Sequence, residues 1–148
     1  MIRIEKEAWA DMVAHAAAAY PNECCGTMLG LEEAGVKRVT RAVALENAFH
    51  GPQVTRYEVR PQDLLEAEQL ARREGLALIG IYHSHPDCEP YFSETDLKNS
   101  CPWYSFVILS MRGGKFQQAK SWLPDLEQTR AEQEPLSYPD LEEVSWQK

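Results

Sequence analysis

Long apolar runs are missing from this 148-residue chain. The longest stretches, such as Leu76–Ile81, are under half of what a membrane-spanning helix needs, which is about 20 residues. The opening residues make a poor secretory leader, because Arg3, Glu5, Lys6 and Glu7 interrupt them and the Ala-rich stretch from Ala14 to Ala19 contains His15. No membrane partner and a cytoplasmic location are the expectation. Cysteine is scarce: Cys24, Cys25, Cys88 and Cys101 form no C-x-x-C pair, which argues against a structural zinc knuckle, and in a reducing compartment they default to thiols. Positive charge is short as well. Fifteen Lys and Arg stand against 23 Asp and Glu, a formal net charge of −8. Phosphate-backbone binding runs on Lys and Arg, so no nucleic-acid partner is expected; the acidic surface is read first as a solubility device. The chain is too short for a TIM barrel of about 250 residues, yet long enough for one domain with its own core. No internal repeat is present.

What is there reads as alternating helices and strands. Glu5–Tyr20 is a helix, with Trp9, Met12, Val13 and Ala16 on one face and Pro21 as the stop. Gly26–Leu31 is a short apolar run, Val36–Leu45 a strand, residues 47–53 a loop, and Thr55–Val59 a short strand. Pro61 opens a second helix, Gln62–Glu74, with Leu64, Leu65 and Leu70 turned inward and Gly75 closing it. Leu76–Tyr82 is the most apolar strand and the expected sheet centre. A short helix follows at Ser93–Asn99, capped by Ser93. Trp103–Met111 and Lys115–Trp122 form a hairpin around Arg112-Gly113-Gly114. The expected fold class is α/β (α+β), a single domain over residues 1–123. Residues 124–148 are a separate acidic arm holding seven acids, two bases and three prolines. This arm is either packed through Tyr138 and Trp146 or partly disordered, and the last ten or so residues lean toward disorder.

The chemistry-bearing segment is His83-Ser84-His85-Pro86, then six residues, then Ser93-Glu94-Thr95-Asp96. Side chains two apart on a strand point to the same face. His83 and His85 at a strand end can therefore grip one metal ion, and Asp96 can reach it from the first turn of the next helix. Two nitrogens and one oxygen suit a catalytic Zn²⁺ with its fourth position left for water. Such a water needs a base, and Glu23, after the Pro21-Asn22 break, is the candidate. Each piece also has a plainer reading. Two histidines at a strand end can be polar surface, Ser93-x-x-Asp96 is a helix cap in its own right, and Glu23 can be a solvated turn residue. His15 and His50 receive no role, and Cys25 reads as a small core residue.

Taken together the motifs resemble the JAMM/MPN metalloproteases, whose signature is an upstream Glu, then H-[ST]-H-P, then S-x-x-D, with ten residues between the second His and the Asp. His85 and Asp96 have that spacing, and Pro21-Asn22-Glu23-Cys24-Cys25-Gly26-Thr27-Met28-Leu29-Gly30 resembles the family's P-x-E-x-C-G-x-L-x-G segment, with Met28 in the apolar place. Ile79-Gly80-Ile81-Tyr82 before the His pair is similar to bacterial stand-alone members. The resemblance covers roughly residues 1–122 and implies a mixed, curved β-sheet flanked by helices, of the cytidine-deaminase-like kind. It implies one zinc per chain on His83, His85 and Asp96, with Glu23 as general acid/base and Ser93 donating to the oxyanion. The implied partner is a ubiquitin-like or sulfur-carrier protein with an extended C-terminal tail, at which a peptide or isopeptide bond is hydrolysed, releasing an amino acid such as cysteine or a short extension. It also raises a disulfide between Cys88 and Cys101, with two free thiols as the alternative. A non-catalytic MPN-type interaction scaffold remains the competing reading. A DNA-repair-associated relative fits the −8 charge poorly. Unrelated H-x-H hydrolases fit worse: an amidohydrolase barrel is too large, Asp87 stands where a histidine triad needs its third His, and the P-C-x-x-C of zinc deaminases is absent.

Overall fold

The computed structural model describes residues 1–140; the end of the acidic arm, residues 141–148 with Trp146, lies outside the described residues. In chain order the elements are β1 (Ile2–Ile4), α1 (Lys6–Ala19), β2 (Cys25–Glu33), β3 (Val36–Leu45), α2 (Pro61–Arg73), β4 (Ala77–Pro86), α3 (Glu94–Lys98), β5 (Ser105–Arg112), β6 (Lys115–Pro124), β7 (Ala131–Glu134) and β8 (Leu136–Ser137). One eight-stranded mixed sheet runs β7-β6-β5-β4-β2-β3-β1-β8. The apolar β4 is central, antiparallel to β2 and parallel to β5. Among the described residues no helix is long and apolar enough to cross a membrane.

The two edge strands, β7 and β8, are consecutive in the chain with Pro135 alone between them. The sheet must therefore curl until its edges meet. Ile2 N–H donates to Pro135 C=O at 2.9 Å, which ties the connecting residue to β1, the neighbour of β8. Register shifts at Leu29/Gly30 on β2 and Ser110/Met111 on β5 supply local bends. A Cβ at Gly30 or Gly80 would run into the carbonyl of Arg38 or Ser105, so glycine permits the close backbone approach there. At the seam the buried Glu134 accepts hydrogen bonds from Ser105 Oγ (2.8 Å), Ser121 Oγ (3.0 Å) and Lys37 Nζ (3.0 Å). Residues 131–137 are thus woven into the sheet. Their strands carry no apolar alternation, which is why local pattern gave no sign of them.

The sheet has two differently built faces. On one, α1 lays Ala8, Trp9, Met12 and Ala16 against Ile2, Ile4, Met28, Val39, Tyr82, Val107, Leu109 and Met111. On the other, Cys25, Tyr57, Ile81, Tyr104 and Phe106 pack with Leu64 and Leu78. The inward side of α2 differs from expectation: Ala67 and Ala71 are buried, while Leu65 is 48% exposed. Small residues let the helix lie close to the sheet. Residues 55–59 form no strand, because Glu58 N–H and Arg56 C=O bond to the side chain of Asn47 instead of to a neighbouring strand.

Candidate metal centre

β4 continues through His83 and His85 to Pro86 and turns both imidazoles to one side. Ser84, between them, faces the other way, and its Oγ accepts from Cys24 N–H at 2.8 Å. The antiparallel pairing of β2 with β4 sets Cys25 opposite His83. That register carries Glu23, sixty positions earlier in the chain, to the imidazoles: one oxygen or nitrogen each from Glu23, His83 and His85 lie within 4.8 Å of one another. α3 supplies the second carboxylate. Ser93 caps this helix by accepting from Asp96 N–H (3.0 Å), and Asp96 Oδ2 accepts from Ser93 N–H (3.0 Å). This reciprocal cap fixes Asp96 with its carboxylate toward β4.

The donor spacing tests the fit of a metal. His83 Nε2 and His85 Nε2 are 3.3 Å apart; His83 Nε2 lies 3.3 Å from Asp96 Oδ1, and His85 Nε2 lies 3.3 Å from the other oxygen, Oδ2. A tetrahedral ion with ligand bonds of about 2.0–2.1 Å needs donors roughly 3.3–3.4 Å apart. The two imidazoles meet that requirement, and the Asp96 carboxylate stands against both with a different oxygen toward each. His85 Nδ1 lies 2.9 Å from Glu89 C=O; the hydrogen bond puts the proton on Nδ1 and leaves Nε2 as the free donor. His83 is held differently. Its Nδ1 has no hydrogen-bond partner, and its ring stacks on Tyr57 at 4.4 Å and 26°.

All four groups are buried. Burial pushes the Glu23 carboxyl up to about 8; nearby His85 opposes the rise and Asp96 adds to it. Glu23 Oε1 has no hydrogen-bond partner. Burial acts to raise Asp96 too, but the charge of His83 and hydrogen bonds from His83, His85 and Ser93 N–H outweigh it and hold that carboxylate well below its usual range. Burial pushes the His83 imidazole down. For His85, burial is outweighed by Asp96 and the Glu89 carbonyl, which leave it raised. A cleft opens onto the group, lined by Glu23, Val54, Thr55, His85, Cys88, Tyr91 and Ser93. Tyr91 meets the His85 ring edge-on at 5.4 Å.

All five residues singled out from sequence therefore converge on one cleft and its floor. Cys88 lies on the cleft wall as a free thiol, and Cys101 is a separate thiol. Cys24 and Cys25 are buried, and burial pushes their thiols up to about 11 and about 12, so they stay protonated and act as small core residues. His15 bonds the Tyr82 hydroxyl on the opposite face at 2.8 Å. Sequence reading missed Tyr57, Asn47 and the Glu89 carbonyl. Tyr57 sits in a stretch read as a short strand and Asn47 in one read as a loop, neither with a motif to mark it, and a backbone carbonyl leaves no mark in a sequence.

Three comparisons bear on this geometry. The family described as prokaryotic homologs of the JAB domain matches residues 5–124. A desampylase from Pyrococcus furiosus is 30% identical over 101 residues, 68% of this chain and 66%, just under two thirds, of that protein. A CysO-cysteine peptidase from Mycobacterium tuberculosis is 32% identical over 112 residues, 75% of this chain and 74% of that protein. Among solved structures, a Desulfitobacterium hafniense protein superposes with a TM-score of 0.81 at 28% identity, covering 95% of this chain and 94% of that one.

Proposed function

The chain belongs to the prokaryotic JAB-domain family, and from that premise we propose that it is a zinc peptidase acting at the C-terminus of ubiquitin-like or sulfur-carrier proteins. His83, His85 and Asp96 are the ligands, and the 3.3 Å spacing of the two imidazole Nε2 atoms, with the Asp96 carboxylate against both, is the observation that carries this reading. A zinc ion held there supplies Lewis-acid chemistry, polarising a carbonyl oxygen and making water acidic near neutral pH.

The protein's own residues do the rest. Glu23 is the proton carrier. Its buried carboxyl stands beside the imidazoles, and its unpartnered Oε1 is free to receive a proton from water and pass it to the leaving amine. Ser93 Oγ, on the cleft wall, donates to the oxygen that gains charge as the carbonyl carbon becomes tetrahedral. The Glu89 carbonyl keeps His85 in the tautomer a ligand needs. No side chain in the cleft is required as a covalent nucleophile. Val54 and Tyr91 line the cleft and offer apolar surface to an extended chain end. The peptidase relative is named for CysO-cysteine, which supports a carrier bearing a C-terminal cysteine as the substrate; on this reading the carrier is ubiquitin-like and is processed in the cytoplasm. A scaffold role would not require two imidazoles and two carboxylates to converge.

The test begins with zinc. Chelator-free, reduced protein should bind about one zinc per chain, and the loaded protein should release cysteine from a ubiquitin-fold carrier ending Gly-Gly-Cys, read by mass. Failure to bind added zinc overturns the ligand set and favours the scaffold. Binding without cleavage of any such carrier overturns the substrate class.

A further inference from the structure

The loop between β3 and α2, residues 46–60, supplies none of the proton-transfer or metal-holding groups above, yet it touches the site in several places. Glu23 lies before β2 begins at Cys25, so no strand ladder holds it. Its backbone is held by this loop instead. Glu23 N–H donates to Gln53 C=O at 2.7 Å, and Glu23 C=O accepts from Asn47 Nδ2 at 3.1 Å. The Asn47 side chain is fully used: Nδ2 also donates to Arg56 C=O (3.0 Å), and Oδ1 accepts from Phe49 N–H and Glu58 N–H (3.1 Å each). Gln53 Nε2 in turn donates to the carbonyls of Asn47 and Phe49 at 2.9 Å. The same loop sends Val54 and Thr55 to the far wall of the cleft and Tyr57 onto the His83 ring.

We infer that Asn47 is a positioning residue for the reaction, setting where the Glu23 carboxyl stands through the Glu23 backbone. The inference rests on the peptidase reading for its catalytic consequence, but not for its structural one. Glu23 Oε1 has no partner of its own, so the carboxyl inherits its place from the main chain. Only a side-chain amide can give two hydrogens and take two at this point. Aspartate keeps the two accepted bonds that shape the loop and loses both donated ones, including that to Glu23. Alanine loses all four. A displacement of about 1 Å in a reacting group can cost on the order of a hundredfold in rate.

Zinc-loaded Asn47→Ala should lose at least tenfold in kcat on the Gly-Gly-Cys carrier, with KM within about twofold and about one zinc per chain retained. In a Glu23→Gln background the same substitution should remove nothing further, because its effect passes through Glu23. Asn47→Asp should match the alanine variant in kcat while melting closer to the wild type. The Glu23 backbone carbonyl carbon, read by NMR without substrate or metal, should shift upfield in both variants as it loses the Asn47 Nδ2 donor. A kcat within twofold of wild type, equal losses in both backgrounds, or an unchanged Glu23 carbonyl shift would each overturn the inference. If the wild-type protein cleaves no carrier, the peptidase reading fails and the Glu23 carbonyl shift still decides whether Asn47 holds it.

Discussion

The two faces of β4 are built from the same strand to opposite ends. Toward α1, Tyr82 and Ser84 enter a dense apolar layer in which Trp9 stacks on Tyr138 at 4.5 Å and meets Phe116 edge-on at 5.2 Å. Toward the cleft, His83 and His85 face two carboxylates; buried polar atoms of His83 and Glu23 go without partners there, as Trp9 Nε1 does on the first face. The first face is what a stable sheet needs. The second concentrates groups whose charges disfavour burial and which only chemistry explains. The alternation of a strand lets one element serve both needs, because a residue and its neighbour never share a face.

The sharpest break of that contrast is His83→Ala. It removes a donor from the cleft side and should take zinc from about one per chain to near zero, with turnover lost. Full zinc affinity in this variant, measured by titration, would show the ligand set to be wrong. Glu23→Gln comes next. It should keep zinc and lower kcat by roughly a hundred- to ten-thousandfold, the usual worth of a positioned acid/base; a near-normal rate would remove Glu23 from its role.

The same variant sharpens the comparison through stability. In metal-free protein the folded-state Glu23 carboxyl, pushed up to about 8 by burial, binds its proton more tightly than in the unfolded chain, whose ordinary value is 4.5. The folded state therefore holds more protons between those values, and stability falls as pH rises through that window. Glutamine does not titrate. The melting temperature of metal-free Glu23→Gln should pull ahead of the wild type as pH rises from 4.5 to 8 and then hold its lead. A gap independent of pH would show the carboxyl to be ionised in the fold.

Trp9→Ala tests the other face. Removing a fully buried indole should cost about 3–5 kcal/mol in denaturant unfolding, while the folded fraction still binds one zinc per chain. Loss of zinc from folded protein would show that the two faces are not independent. The smallest effect belongs to Ser84→Ala, on the strand between the two histidines. It strips Cys24 N–H of its 2.8 Å acceptor and should cost about 1–3 kcal/mol.

Much of the site was legible because its parts are local. An i, i+2 pair on a strand and an i, i+3 cap on a helix turn are fixed by backbone geometry within a few residues, so His83, His85, Ser93 and Asp96 could be oriented before any fold was known. Glu23 could be named from its motif but not located. Its place follows from the register that puts Cys25 opposite His83. Residues 55–59 read as a strand because their composition suits one, but the Asn47 amide took the hydrogen bonds that a neighbouring strand would have used. Leu65 read as core, yet Ala67 and Ala71 face the sheet, a matter of how closely α2 packs.

The sequence by itself determined which residues can do chemistry here and where the helices and main strands run, since propensity, capping and side-chain period act over a few residues. The tertiary structure alone decided that Glu23 stands beside the histidines, that Asn47 holds it there, and that the stretch around Pro135 joins both edges of the sheet. Strand register and sheet closure are set by the summed pairing and packing of segments far apart in the chain, and no local pattern carries that sum.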